Sequence, residues 1–229
     1  MRSSAVIVFD VNETLLDLGA LDPLFVESFG SAALRGQWFT TMLQLSFVGA
    51  ITDRYVDFTS AQHAALAMLA DRAGLAPADV DARRIVGAMR TLPAHPDVVP
   101  ALERLREAGF TLASLTNSPL DVVHDQLDHA SLREHFAEVL SADQVRALKP
   151  RREPYELVAR SFDVEIGEVR LVAAHAWDVA GALAAGCRAA FVARPGMVLS
   201  PLGDQPDIVG ADLGEVAKRI VATGEGPAR

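Results

Sequence analysis

Residues 5–16 read Ala-Val-Ile-Val-Phe-Asp-Val-Asn-Glu-Thr-Leu-Leu: an apolar run broken at Asp10, with Asn12, Glu13 and Thr14 following within four residues. An apolar, β-branched run of this length predicts a buried strand over residues 5–11. A carboxylate at the carboxyl end of such a strand lies where open α/β sheets bind ligands, so Asp10 is a candidate nucleophile. The same pattern also describes an ordinary turn-forming Asp, and the stretch alone leaves both readings open.

Strand-like runs recur at 111–116, 138–141, 169–174 and 188–193, separated by helical stretches at 97–108, 119–129, 152–163 and 178–186. Such alternation predicts an α/β fold, a parallel sheet covered by helices. Between Leu16 and about Thr91 the rhythm is helical only, with Leu43, Phe47, Ala50 and Ile51 on one face and Leu66, Leu69 and Ala70 on another. Leu92-Pro93-Ala94-His95-Pro96 is too rich in proline to continue a helix and returns the chain to the sheet. The expected organisation is a core domain of residues 1–16 and 92–229 with a helical cap of residues 17–91. Ser118, Pro119 and Asp121 read as N-cap, first helical residue and N3 acid of a helix starting just after Asn117. The free N–H groups of its amino end would favour an anion.

Of 229 residues, 50% are hydrophobic, ample for a core, and no apolar run approaches the roughly 18 residues of a membrane helix. The amino terminus lacks a basic region followed by a cleavable apolar segment, so the chain reads as cytoplasmic. Cys187 is the single cysteine, which rules out an internal disulfide and reads as a small core residue. A formal charge of −9 argues against nucleic-acid binding, which needs a basic stripe, and an anionic substrate must find local positive charge. His63, His95, His124, His129 and His135 show no metal-ligand spacing and read as surface or helix residues.

Four short stretches, in order, resemble the motifs of the haloacid dehalogenase superfamily. Asp10-Val11-Asn12-Glu13-Thr14-Leu15 is similar to the first, Leu115-Thr116-Asn117-Ser118 to the second, Leu148-Lys149-Pro150 to the third and Val172 through Asp178 to the fourth. The inserted helices, Arg54-Tyr55-Val56-Asp57-Phe58 within them, and Ala176-Trp177-Asp178 look most like the 2-haloacid dehalogenase branch. The resemblance covers most of the chain. It implies a Rossmann-like core with a cap, a small carboxylic acid as substrate, no metal or other cofactor, no nucleic-acid or membrane partner, and a possible homodimer.

The resemblance also implies roles. Asp10 attacks the substrate and must stay ionised, for which an ammonium within about 4–6 Å is suited. Lys149 is that partner; only Lys149 and Lys218 are lysines among 21 basic residues, which suggests that a compact point charge is wanted before Pro150. Thr14 donates to Asp10 or caps the turn. Thr116, Asn117 and Asn12 line the substrate side, or form a common polar turn cluster. Asp178 pairs with the lysine or positions water, but would look the same as a helix N-cap. Tyr155 matches a tyrosine near the dehalogenase site, or is a core aromatic with a hydrogen-bonded tip.

Related phosphatases carry a second Asp two residues after the nucleophile and further acids in the fourth motif to hold magnesium. Asn12 and Ala174 stand at those places. Magnesium demands hard oxygen ligands in near-octahedral array, so the expectation is metal-independent displacement of halide from a 2-haloalkanoic acid. A magnesium phosphatase, or a family member that has lost dehalogenation, is the alternative. Three departures from typical dehalogenases fall at the site: aligning Trp38 and Arg54-Tyr55-Val56 without a gap sets Gly49 where a halide-binding Arg is usual, and Ala173 and His175 replace a water-positioning Ser and Asn. His175 then becomes either the base for water or a structural histidine.

Overall fold

The computed structural model of the protein describes residues 6–76 and 80–224. Its sheet has six parallel strands in the order β3-β2-β1-β4-β5-β6: β1 (Val6–Phe9), β2 (Thr111–Thr116), β3 (Glu138–Ser141), β4 (Val169–Ala173), β5 (Arg188–Val192) and β6 (Ile208–Gly210). The five expected strands are all present; Ala5, the first residue of the expected β1, lies outside the described residues. β6 was not anticipated, because three residues at an edge leave no apolar run to detect.

Every residue of β1 is buried, as strands covered on both faces require. Ile7 and Phe9 pack on one side with Leu105, Val123, Leu127 and Ile220, and Val6 and Val8 on the other with Tyr155, Val158 and Val179. α5 (Val98–Glu107), α6 (Leu120–His129) and α9 (Leu213–Ala222) supply the first layer, and α7 (Arg152–Ser161) and α8 (Ala176–Ala185) the second. From β1 the chain order runs outward in both directions, so the carboxyl end of β1 is a topological switch point, where a crevice opens between diverging connections. Asp10 is the next residue.

Between β1 and β2 stand α1 (Asp22–Phe29), α2 (Leu34–Ile51), α3 (Phe58–Arg72) and α4 (Ala82–Ala88). The insertion leaves and re-enters the sheet at one place, where Asp17 N–H donates to the Pro93 carbonyl at 2.8 Å and His95 N–H to Leu15 at 2.9 Å. Its apolar residues, Trp38, Leu66 and Leu69 among them, join the cluster on the Phe9 face.

Some local expectations are corrected. The buried side of α2 runs through Trp38, Met42, Ser46 and Gly49 together with Phe39, Thr41 and Leu43, while Ile51 is 82% exposed. Hydropathy misses this face because Ser46 is satisfied internally, its hydroxyl donating to the Met42 carbonyl, and Gly49 is there for close packing. Ser118 does not cap α6: the helix begins at Leu120 after Pro119, and the Ser118 hydroxyl accepts from Asn12 instead. His135 is buried beside Arg106 in the short 3-10 helix Arg133–His135, within the helix half of its reading, whereas half-buried His95 lies outside any helix and meets the Glu13 carbonyl. Cys187 is buried, as expected. No helix among the described residues is long and apolar enough to cross a membrane.

Candidate active site

Asp10 is held at the end of β1 by its own backbone, whose N–H donates to the Val172 carbonyl of β4. Its side chain, 6% exposed, is gripped on both oxygens. Lys149 Nζ lies 2.9 Å from Oδ1, while the Thr14 hydroxyl at 2.6 Å and His175 Nδ1 at 3.1 Å meet Oδ2. Thr14 is fixed in turn, accepting from the Ala174 N–H at 2.9 Å. The bonded groups therefore come from the turns after β1 and β4 and from the loop before α7, brought together only by the sheet.

Lys149 is fully buried and makes three contacts: Asp10, Asp178 Oδ2 at 2.6 Å and the Leu115 carbonyl at 2.9 Å. Three acceptors match the three donors of an ammonium. Asn117 sets the loop by closing a two-point clamp on the Lys149 backbone, accepting from its N–H at 2.8 Å and donating to its carbonyl at 3.2 Å. Asp178 also accepts from Tyr155 Oη, 2.5 Å from Oδ1. Thr116 Oγ1 accepts from Ser118 N–H, and the Asn12 amide lies between Ser118 and Gln126. Asn117 and Asn12 thus have their side chains bonded within the protein, where sequence reading offered the substrate side or a polar turn cluster, and Tyr155 is the buried aromatic with a hydrogen-bonded tip that was one of its two readings.

Burial alone would raise the Asp10 pKa, but the Lys149 charge and the hydrogen bonds from His175 and Thr14 outweigh it and hold the carboxyl well below the usual carboxylate range. Lys149 shows the converse. Burial disfavours its charge, yet Asp10 and Asp178 keep its pKa above the ordinary lysine value. Asp178 is pushed up by burial and by the Asp10 charge despite the pull of Lys149, because one ammonium serves two carboxylates.

His175 was expected near the site, but its second partner was not. Nε2 lies 2.9 Å from Glu13 Oε2, and the ring is sandwiched between Phe39 and Trp177 at centroid distances of 5.7 and 5.1 Å. Burial disfavours the imidazolium, but the two carboxylates dominate and raise the pKa to about 9. The aromatic faces suit a cation. Glu13 was read only as a polar residue after the strand. Its role was hidden because its partner is 162 residues away.

Gly49 does not fill the place expected of it beside the nucleophile. A Cβ there would come within 2.7 Å of the Arg54 carbonyl, so the position is closed to any side chain, and it is Phe39 of the insertion that stacks on His175. Phe39 lines a cavity of about 710 Å³ with Leu43, Phe47, Trp177 and Met197, and Glu13 and His175 supply its charged groups. Arg194, also unforeseen, donates through Nε and Nη2 to the Thr14 carbonyl at 3.2 and 2.9 Å and pairs with Asp97.

A family model for haloacid dehalogenase-like hydrolases matches residues 5–186. The chain is 32% identical over 181 residues to (S)-2-haloacid dehalogenase 1 of Pseudomonas sp. (strain CBS-3), covering 78% of this chain and 80% of that protein. It is 27% identical to haloacetate dehalogenase H-2 of Moraxella sp. (strain B), covering 90% and 93%. Among solved structures, the L-2-haloacid dehalogenase of Xanthobacter autotrophicus with chloropropionic acid covalently bound superposes with a TM-score of 0.88 at 26% identity, covering 96% and 98%.

Proposed function

The chain belongs to the haloacid dehalogenase-like hydrolases, on the 2-haloacid dehalogenase branch, and from that premise we propose that Asp10 displaces halide from a small 2-haloalkanoic acid and that water then opens the aspartyl ester to the 2-hydroxy acid. The observation that carries this reading is the Lys149 ammonium lying between Asp10 and Asp178, 2.9 and 2.6 Å from their carboxylates. It keeps Asp10 ionised and therefore nucleophilic. It also fills the space between the two acids, and with Ala174 offering no side-chain oxygen and Asn12 turned to Ser118 and Gln126, the donor set does not fit a magnesium ion. Halide needs no proton to leave, so the first step asks only for an anion and a positioned carbon.

Each remaining residue has a place in this reading. Thr14 and Lys149 orient Asp10. Thr116, at the end of β2 and before the amino end of α6, holds the substrate carboxylate with its hydroxyl, while Asn117 fixes the Lys149 loop and Asn12 and Tyr155 keep the surrounding side chains in register. Asp178 and His175 prepare the water. Residues 17–91 act as a cap whose Phe39 shields the reacting groups from bulk water. We read the enzyme as cytoplasmic.

Single-turnover hydrolysis of 2-chloropropionate in oxygen-18 water tests the covalent step. Label is expected in the Asp10 carboxylate, and label confined to the product would contradict the ester.

A further inference from the structure

We infer that Glu13 and His175 form a base that the reaction itself switches on: ionised Asp10 holds a proton on His175, and esterification of Asp10 frees Nδ1 to accept a proton from the water that opens the ester. This rests on the covalent reading above. It goes beyond it by giving Glu13 a positioning role and the two half-reactions different protonation states.

The geometry is that of a histidine between two carboxylates. Nδ1 faces Asp10 at 3.1 Å and Nε2 faces Glu13 at 2.9 Å. When Asp10 becomes a neutral ester, one of the two negative neighbours of His175 disappears while burial persists, so the imidazolium loses its proton to solvent. Glu13 then accepts the remaining N–H at Nε2, which leaves the Nδ1 lone pair directed at the ester. The backbone supports a functional reason for this side chain. Glu13 has φ 61°, a left-handed conformation that glycine adopts more cheaply. The other charges around the pair are Lys149, bonded to Asp10, Arg35 of α2, 3.8 Å from Glu13, and Asp17 and Arg194, which line a cavity with Glu13; half-buried His95 touches the Glu13 carbonyl, and Phe39 and Trp177 close the ring faces. The raised pKa of His175 in the resting protein agrees with a proton held until Asp10 is neutralised.

Protons balance. Asp10 forms a C–O bond as the C–X bond breaks and X⁻ leaves, and His175 releases its proton. Neutral His175 next takes a proton from water as the hydroxyl adds to the Asp10 carbonyl carbon, and returns it to the departing alkoxide. The new Asp10 carboxylic acid then reprotonates His175. The sum is RX + H₂O → ROH + X⁻ + H⁺.

Two measurements test the switch. In NMR titration of His175, Asp10→Asn, which stands in for the uncharged ester, is expected to lower its proton affinity at least about a hundredfold, enough to leave the ring neutral at the pH of the reaction. In rapid-quench kinetics with 2-bromopropionate, Glu13→Gln should leave the first-turnover halide burst within about threefold of wild type while ester opening slows on the order of 10²-fold and intact-mass spectra show the ester accumulating. The acid limb of ester opening should move to lower pH, and Glu13→Asp should restore part of the rate. Glu13→Gly, which relieves the left-handed backbone, controls for folding and should show the same split. His175 titrating alike in wild type and Asp10→Asn, or both half-reactions slowing equally in Glu13→Gln, would overturn the switch. A lowered titration with no halide released from any 2-haloacid would retire the displacement reading and leave the coupling standing.

Discussion

At the residue scale, two buried carboxylates share one lysine. Removing the lysine leaves Asp178 without a counter-charge and Asp10 with His175 alone, which is more damaging than the net worth of the pair. Lys149→Met is expected to lose halide release altogether and about 3–5 kcal/mol of stability, read from urea midpoints. Asp10, Thr14, Lys149 and Asp178 were legible because each sits at a fixed place in a short ordered motif. Glu13 and Phe39 were not: their meaning depends on the His175 ring, which no local spacing brings near them.

At the scale of elements, α8 and the Lys149 loop meet at a glycine. A Cβ on Gly181 would fall 2.5 Å from Pro150 Cβ and 2.7 Å from Tyr155 Oη. Gly181→Ala must therefore push α8 away from the groups that fix Lys149 and Asp178. We expect a loss of about 1–3 kcal/mol, as for other overpacked cores, measurable by denaturant unfolding, with kcat falling more than KM rises. Five strands were readable since each pairs an apolar run with a polar break, whereas the face of α2 was misread where Ser46 and Gly49 take buried places through a backbone hydrogen bond and close packing. Hydropathy reports neither.

At the scale of the whole molecule, the charges at the site make stability depend on pH. His175 is held at about 9 in the fold against an ordinary value of 6.5. The folded state keeps a proton that the unfolded chain gives up, so this contribution is fully present below 6.5 and is lost as pH rises through about 9. Asp10, shifted down, contributes above its ordinary 3.8 and loses that contribution as pH falls through its lowered folded value. Melting temperatures of wild type should decline from neutral pH through pH 9, and His175→Gln should flatten that limb.

Asp97 joins distant parts of the chain. Its carboxylate takes Arg194 at 2.8 and 2.7 Å and the Leu213 N–H at 2.6 Å, while Arg194 grasps the carbonyl of Thr14. The turn that carries the chemistry is thereby anchored to the start of the last helix, almost two hundred positions downstream. Asp97→Ala would slacken that anchor and blunt turnover without touching a reacting group, whereas a fusion placed after Ala222 should leave it taut.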